Sequence, residues 1–225
     1  MTMSYYKKLN LPLNPFNDWN SLYEEVKAKF PLGNKLPYQH TIYDSAGLLT
    51  DELTSILDRI GVKVTHVVLF CSSRAVSFNQ TRMIHSDLTW DEKSKAWKDI
   101  HCGINWELCG GTNLFSWWDM SKTKSVYPLP PYTGMDSNGP IINPTSATLN
   151  GIHYNNRLTM GIHKEAVKLD EVNIDGPILV RTDIPHHTVF ASAKVRVGVS
   201  LRIDESELNS WDKIVEQFAP VYRDQ

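Results

Sequence analysis

Residues Arg181–Ile203 read RTDIPHHTVFASAKVRVGVSLRI, a pair of short extended segments that run out and back. From Arg196 onward the residues alternate. Val197, Val199, Leu201 and Ile203 fall on one face and Arg196, Gly198, Ser200 and Arg202 on the other, the two-residue period of a strand. The apolar face suits a core. The polar face suits either solvent, as on an edge strand, or a site inside a β-structure. The out-and-back path returns the adjacent histidines His186 and His187 to the same end of that structure as Arg196. Neighbouring strand residues point to opposite faces, so only one of the two imidazoles can serve a common site.

Working outward, Ile84-His85-Ser86-Asp87 places an imidazole and a carboxylate two residues apart. In extended backbone both point the same way, although Asp87 could also lie just past the strand end. With one distant histidine they offer two neutral nitrogens and one anionic oxygen. That donor set leaves three octahedral positions open and suits non-haem Fe(II).

The order His-x-Asp, then about a hundred residues, then Pro-His with an arginine ten residues after that histidine resembles the iron(II)/2-oxoglutarate-dependent oxygenases. Ala96–Trp118, AWKDIHCGINWELCGGTNLFSWW, and Ile184–Arg196 are most similar to the aspartyl/asparaginyl β-hydroxylase-like group, over roughly residues 80–203. The resemblance implies a mainly β domain with flanking helices, built as a double-stranded β-helix (jelly roll, cupin-like). It implies His85, Asp87 and His186 as Fe(II) ligands, and Arg196 as the partner of the distal carboxylate of 2-oxoglutarate. His186 is preferred to His187 because the interval to Arg196 is ten from His186 and nine from His187. Asn105 matches a position that could hydrogen-bond the cosubstrate. One departure stands out: many relatives carry a serine two residues after the arginine, where this chain has Gly198, with Ser200 two further on.

At 225 residues and 41% hydrophobic content the chain is long enough for one domain with a sizeable core. The expected division is helical support over 1–61, a jelly-roll core over 62–203 and a closing helix over 204–225. A net charge of −2 without long runs of either sign excludes an electrostatic footprint for nucleic acid or an anionic membrane. Cys71, Cys102 and Cys109 lack zinc-like spacing and read as reduced thiols, and there is no apolar leader or spanning run. The expectation is a soluble, cytoplasmic protein whose partner is a small molecule or a peptide.

Trp19–Phe30 has helical apolar spacing; a loop is then expected to about Thr50, which can cap a second helix ending at Gly61. His40 falls in that loop. Val62–Cys71 reads as a buried strand that includes His66, Trp90–Lys98 as a loop or short helix, and Ile100–Leu108 as a further strand carrying His101. Five of the seven tryptophans lie between Trp90 and Trp118, suited equally to a core or to a pocket wall. Ser121–Ser146, rich in proline, reads as a long loop or lid. His153 and His163 are expected on strands, and Val172–Asp175 and Ile178–Arg181 are expected to be short strands. Asp204 and Glu207 have the form of a helix start ahead of Leu208, Trp211, Ile214, Val215 and Phe218, a helix that could pack on the sheet or meet a second subunit. Two rival functions fit the same residues: a cupin-like metalloenzyme that does not use 2-oxoglutarate, and a non-catalytic jelly-roll binding protein.

Overall fold

The computed structural model describes residues 4–29, 39–72, 84–91, 96–109, 112–119, 133–136, 139–142, 147–149, 152–158, 166–191 and 196–223. Its architecture is mainly β. Among the described residues the first sheet has six strands, β1 (Tyr6–Lys8), β2 (Gln39–Asp44), β3 (Val64–Ser72), β6 (Cys102–Cys109), β13 (Ile178–Arg181) and β15 (Arg196–Ile203), in the order β1-β13-β6-β15-β3-β2. The second contains β4 (His85–Asp91), β7 (Thr112–Asp119), β10 (Ala147–Leu149), β11 (Ile152–Leu158), β12 (Val167–Asn173) and β14 (His186–Ala191), in the order β10-β11-β4-β14-β7-β12, with β5 (Ala96–Asp99) also paired to β4. All of these pairings are antiparallel.

Alternation along β15 sorts the two faces of the first sheet. Val197, Val199, Leu201 and Ile203 join Val67, Leu69, Ile104 and Trp106 in one apolar cluster with Leu22, Leu53, Leu57, Trp211, Ile214 and Phe218. The last six belong to helices α1 (Trp19–Lys29), α2 (Asp51–Arg59) and α3 (Trp211–Phe218), which therefore cover this face from both ends of the chain. The opposite face looks into the second sheet. There Phe115, Trp117, Val172, Ile178 and Val180 form a smaller cluster drawn from both sheets. Arg196 and Ser200 on β15 are as buried as its valines, so the polar face meets protein and not water.

Local chemistry sets the helix ends. The Thr50 side chain accepts a hydrogen bond from the Leu53 N–H, and Asp51 and Glu52 complement the positive end of the α2 dipole. Gly61 takes φ 68°, and the N–H groups of Gly61 and Val62 donate to the carbonyls of Asp58 and Leu57, a left-handed stop that only glycine adopts freely. The start of α3 differs from expectation. Ser210 caps it by accepting from the Lys213 N–H, whereas Asp204 accepts from the Ser206 N–H in a separate turn.

Four further segments differ from the sequence-based reading. The expected loop before Thr50 contains β2, whose backbone completes the edge of the first sheet beside β3, and His40 lies on it. Tyr6–Lys8 also joins that sheet, at its other edge. Trp90–Lys98 is neither loop nor helix at its two ends, because Leu88–Asp91 pairs with Ala96–Asp99. Within Ser121–Ser146, β8 (Thr133–Asp136) pairs with β9 (Gly139–Ile142), and the rest of that expected loop lies outside the described residues. His153 is on β11, while His163 lies outside the described residues. Among the described residues no helix is long and apolar enough to cross a membrane.

Candidate metal centre

His85 and Asp87 occupy alternate positions of β4, so the strand period points both side chains between the sheets. Asp87 lies within the strand. Its backbone N–H donates to Thr182 O at 2.9 Å and its carbonyl accepts from the Ile100 N–H at 3.0 Å, which pins the residue from two sides. His186 opens β14 directly opposite His85 in the register. The two imidazole centroids are 4.5 Å apart, and Asp87 Oδ1 is 3.5 Å from His85 Nε2 and 3.9 Å from His186 Nε2. One ligand atom from each residue lies within 4.8 Å of the others, close enough to bind a single metal ion.

The donors are also prepared chemically. His186 Nδ1 is 2.8 Å from the carbonyl oxygen of Ile184. A carbonyl only accepts, so that nitrogen carries the proton and Nε2 presents its lone pair to the centre, the tautomer a metal requires. Phe115 stacks on the His186 ring at 4.8 Å and 16° and fixes its plane. Burial, followed by the charge of neighbouring His85, pulls the His186 pKa down to about 3 and keeps the ring neutral. For Asp87 burial alone would favour protonation, but Arg202 and then the two imidazoles outweigh it and hold the carboxyl below its usual range. Arg202 Nη2 approaches Asp87 Oδ2 to 2.6 Å as an ion pair outside hydrogen-bond angles, and its Nη1 donates to Cys102 O at 3.2 Å. Oδ1, which faces the imidazoles, is buried and accepts no hydrogen bond. Two imidazoles with an orphaned buried carboxylate oxygen between them fit a divalent cation.

His187 points the other way, as alternation requires. Its Nδ1 accepts from Trp118 Nε1 at 2.7 Å, and it takes no part in the cluster.

A polar strip runs from Arg202 along the inward faces of β15 and β6. Ser200 is paired with Asn105, and Gly198 with Glu107. A Cβ at Gly103 would sit 2.6 Å from Ser200 Oγ, 3.2 Å from Asn105 Oδ1 and 3.3 Å from Arg202 Nη1, so these groups converge over the glycine. Asn105 Oδ1 and Ser200 Oγ are buried with no hydrogen-bond partner. At the far end of the strip, Arg196 Nε donates to Glu107 Oε2 at 2.9 Å, and Asn113 Nδ2 donates to the same oxygen at 2.6 Å. Nearby in sequence to the histidine pair, Asp183 pairs with Arg181 at 2.7 Å. Burial pushes the Glu107 carboxyl up to about 7, against the pull of Arg196 and Asn113.

The structure thus brings together His85, Asp87 and His186, and sets Asn105 and Arg196 along the strip that leads away from them. Residues that sequence reasoning missed are Phe115, Glu107 and the Arg202 contact to Asp87. Parity gave a usable signal for two of them, since Arg202 shares the face of Arg196, and Glu107 that of Asn105. Two further histidines lie outside the cluster and bond to neighbouring side chains. His66 lies 2.9 Å from Thr65 Oγ1 and is held near pKa 3 by burial and then by Arg202, and His101 is bonded to Glu205 at 2.8 Å. Trp106 belongs to the helix-side core and donates to Pro12 O, while Trp117 lies between the sheets and donates to Arg181 O. Cys102 is a free, buried thiol whose pKa burial raises well above the ordinary value. No protein-family model matches the chain and no curated protein matches it, so the site stands on its own geometry.

Proposed function

We propose that the protein is a cytoplasmic Fe(II)/2-oxoglutarate-dependent dioxygenase, a hydroxylase of a peptide or small molecule, on a double-stranded β-helix framework. The observation that carries this reading is the His85–Asp87–His186 cluster, with His186 Nδ1 tied to the Ile184 carbonyl and Asp87 Oδ1 left without a partner. The two facing sheets with helices on one outer side support the jelly-roll framework. Fe(II) with a chelated 2-oxo acid supplies the oxidising power needed for an unactivated C–H bond.

The chain's own residues bind, orient and seclude. His85, Asp87 and His186 hold the ion. Arg202 fixes the Asp87 carboxylate so that Oδ1 is the oxygen presented. Phe115 and Trp117 line the apolar side and exclude water, which strengthens every electrostatic contact within. Arg196 receives the distal carboxylate, for which a planar guanidinium offers parallel donors, and Asn105 and Ser200 flank the path to it. No side chain is required as a general acid or base.

A cupin-like metalloenzyme that does not use 2-oxoglutarate is the second reading, favoured by one observation: Arg196 already has a carboxylate partner in Glu107. Anaerobic addition of Fe(II), then of 2-oxoglutarate, separates the two. The oxygenase reading expects a visible charge-transfer band that grows with 2-oxoglutarate. Retained iron with no band and no stabilisation by 2-oxoglutarate would leave the cupin-like reading in its place.

A further inference from the structure

Arg196 does not extend straight across the space between the sheets. A Cβ at Gly198 would lie 2.7 Å from Arg196 Nη2 and 3.1 Å from Cζ, so the guanidinium lies along its own strand over the glycine. Gly198 is also the register partner of Glu107 on β6. The missing side chain at 198 is therefore what lets Arg196 fold down and reach Glu107 Oε2 at 2.9 Å. A serine at that position would displace the flexible end of Arg196 from its place. Both side chains of the pair are almost wholly buried, at 6% and 7% exposure, so the contact is not screened by water. Glu107 Oε1, Asn113 Oδ1 and Ser200 Oγ are all buried without hydrogen-bond partners.

Resting on the oxygenase reading, we infer that Glu107 is a carboxylate built into the chain at the seat of the cosubstrate's distal carboxylate, and that it sets which dicarboxylates Arg196 accepts. Binding is then an exchange. An incoming carboxylate must take the guanidinium from Glu107, and two carboxylates cannot share one buried cation at low cost. A ligand that also chelates the metal through its 1-carboxylate and 2-oxo group is anchored well enough to win this exchange. A plain dicarboxylate of similar length, such as glutarate or the coproduct succinate, lacks that anchor and loses to Glu107. The residue thereby separates 2-oxo dicarboxylates from simple ones and favours departure of the coproduct. Among the described residues, the groups in contact with the Glu107 carboxylate are Arg196 from β15 and Asn113 from β7.

The test is calorimetric titration of 2-oxoglutarate, and separately of glutarate, into Mn(II)-loaded wild-type protein, Glu107→Gln and Gly198→Ser. Gln still accepts a hydrogen bond from Arg196 but carries no charge. Gly198→Ser leaves Glu107 intact and moves the arginine off it, so it serves if burial of an unmatched arginine unfolds the first variant. Glu107→Gln should bind 2-oxoglutarate about tenfold or more tightly than wild type, with a larger relative gain for glutarate, and Gly198→Ser should shift both in the same direction. Wild-type affinities that neither variant improves would overturn the inference and leave the oxygenase reading standing. If no protein binds either dicarboxylate although Mn(II) is retained, the cosubstrate reading itself falls and takes the inference with it.

Discussion

The two faces of β15 are buried to a similar degree and are built by opposite rules. Toward the helices, Val197, Val199, Leu201 and Ile203 need only shape and apolar area, and their neighbours are interchangeable in kind. Toward the second sheet, Arg196 and Ser200 are buried and Arg202 is partly buried as polar groups, which is tolerable only with partners of the right charge and direction. Arg202 has Asp87 and the Cys102 carbonyl, and Arg196 has Glu107. Yet Asp87 Oδ1, Asn105 Oδ1 and Ser200 Oγ accept nothing. A layer that existed only for stability would have no reason to keep such atoms; Asp87 Oδ1 lies beside the histidine pair and the other two lie along the strip from Arg202, which supports the proposed use of the inter-sheet space.

The largest effect should come from Asp87→Ala. It removes the anionic ligand and abolishes retention of Fe(II) or Mn(II), read as metal stoichiometry after desalting. It also leaves Arg202 buried without its carboxylate, at a cost of about 3–5 kcal/mol in denaturant unfolding. His186→Ala should likewise lose the metal while His187→Ala keeps it, and the reverse pattern would break the assignment of the two faces of β14. On the other side of the strand, Leu201→Ala should cost about 2–5 kcal/mol of stability and leave metal affinity per folded molecule unchanged. A loss of metal affinity in that variant would show that the two faces are not independent.

Arg202→Met should have a smaller effect. Methionine keeps the bulk but frees Asp87 Oδ2, so metal affinity should fall about 10–100-fold, as for other residues that orient a ligand. Unchanged affinity would reduce Arg202 to a structural cation. The smallest effect is expected at His101, outside both layers. Glu205 raises its pKa through a hydrogen bond, so its contribution is complete below the unfolded-state value of 6.5 and disappears as pH rises through the higher folded-state value. Both partners are partly exposed, which limits the contribution to less than about 1 kcal/mol. Glu205→Gln should flatten the pH dependence of stability above 6.5, and an unaltered slope would remove His101 from the account.

What could be read in advance follows from the same contrast. The alternation of β15 and the same-side placement of His85 and Asp87 are properties of one strand with a period of two, and both are visible in a few consecutive residues. Pairings such as Arg202 with Asp87, or Arg196 with Glu107, join residues far apart in the chain and depend on register, which no local pattern encodes. Gln39–Asp44, QHTIYD, is not legible locally because an edge strand with four of its six residues polar resembles a loop; only β3 beside it makes it a strand. The start of α3 was misplaced for a different reason. Asp204 and Ser210 can each cap, and tertiary packing of Trp211 selects the second.

The position of β15 has a consequence for how the molecule comes into being. It is the third strand from one edge of the first sheet and the only link between β6 and β3, yet it is made after all the other strands. Until residue 203 has left the ribosome, β3 and β6 present unmatched edges and the helix-side core lacks the four residues of β15 as well as Trp211, Ile214, Phe218 and Val221. The first sheet should therefore assemble late, with a high contact order and a need for protection from edge-to-edge association during synthesis. The same delay applies to the ion-binding cluster. His85 and Asp87 emerge about a hundred residues before His186, so the nascent chain should acquire tight metal affinity only as its last strands close, and premature termination before Arg196 should yield an aggregating fragment and not a partly active one.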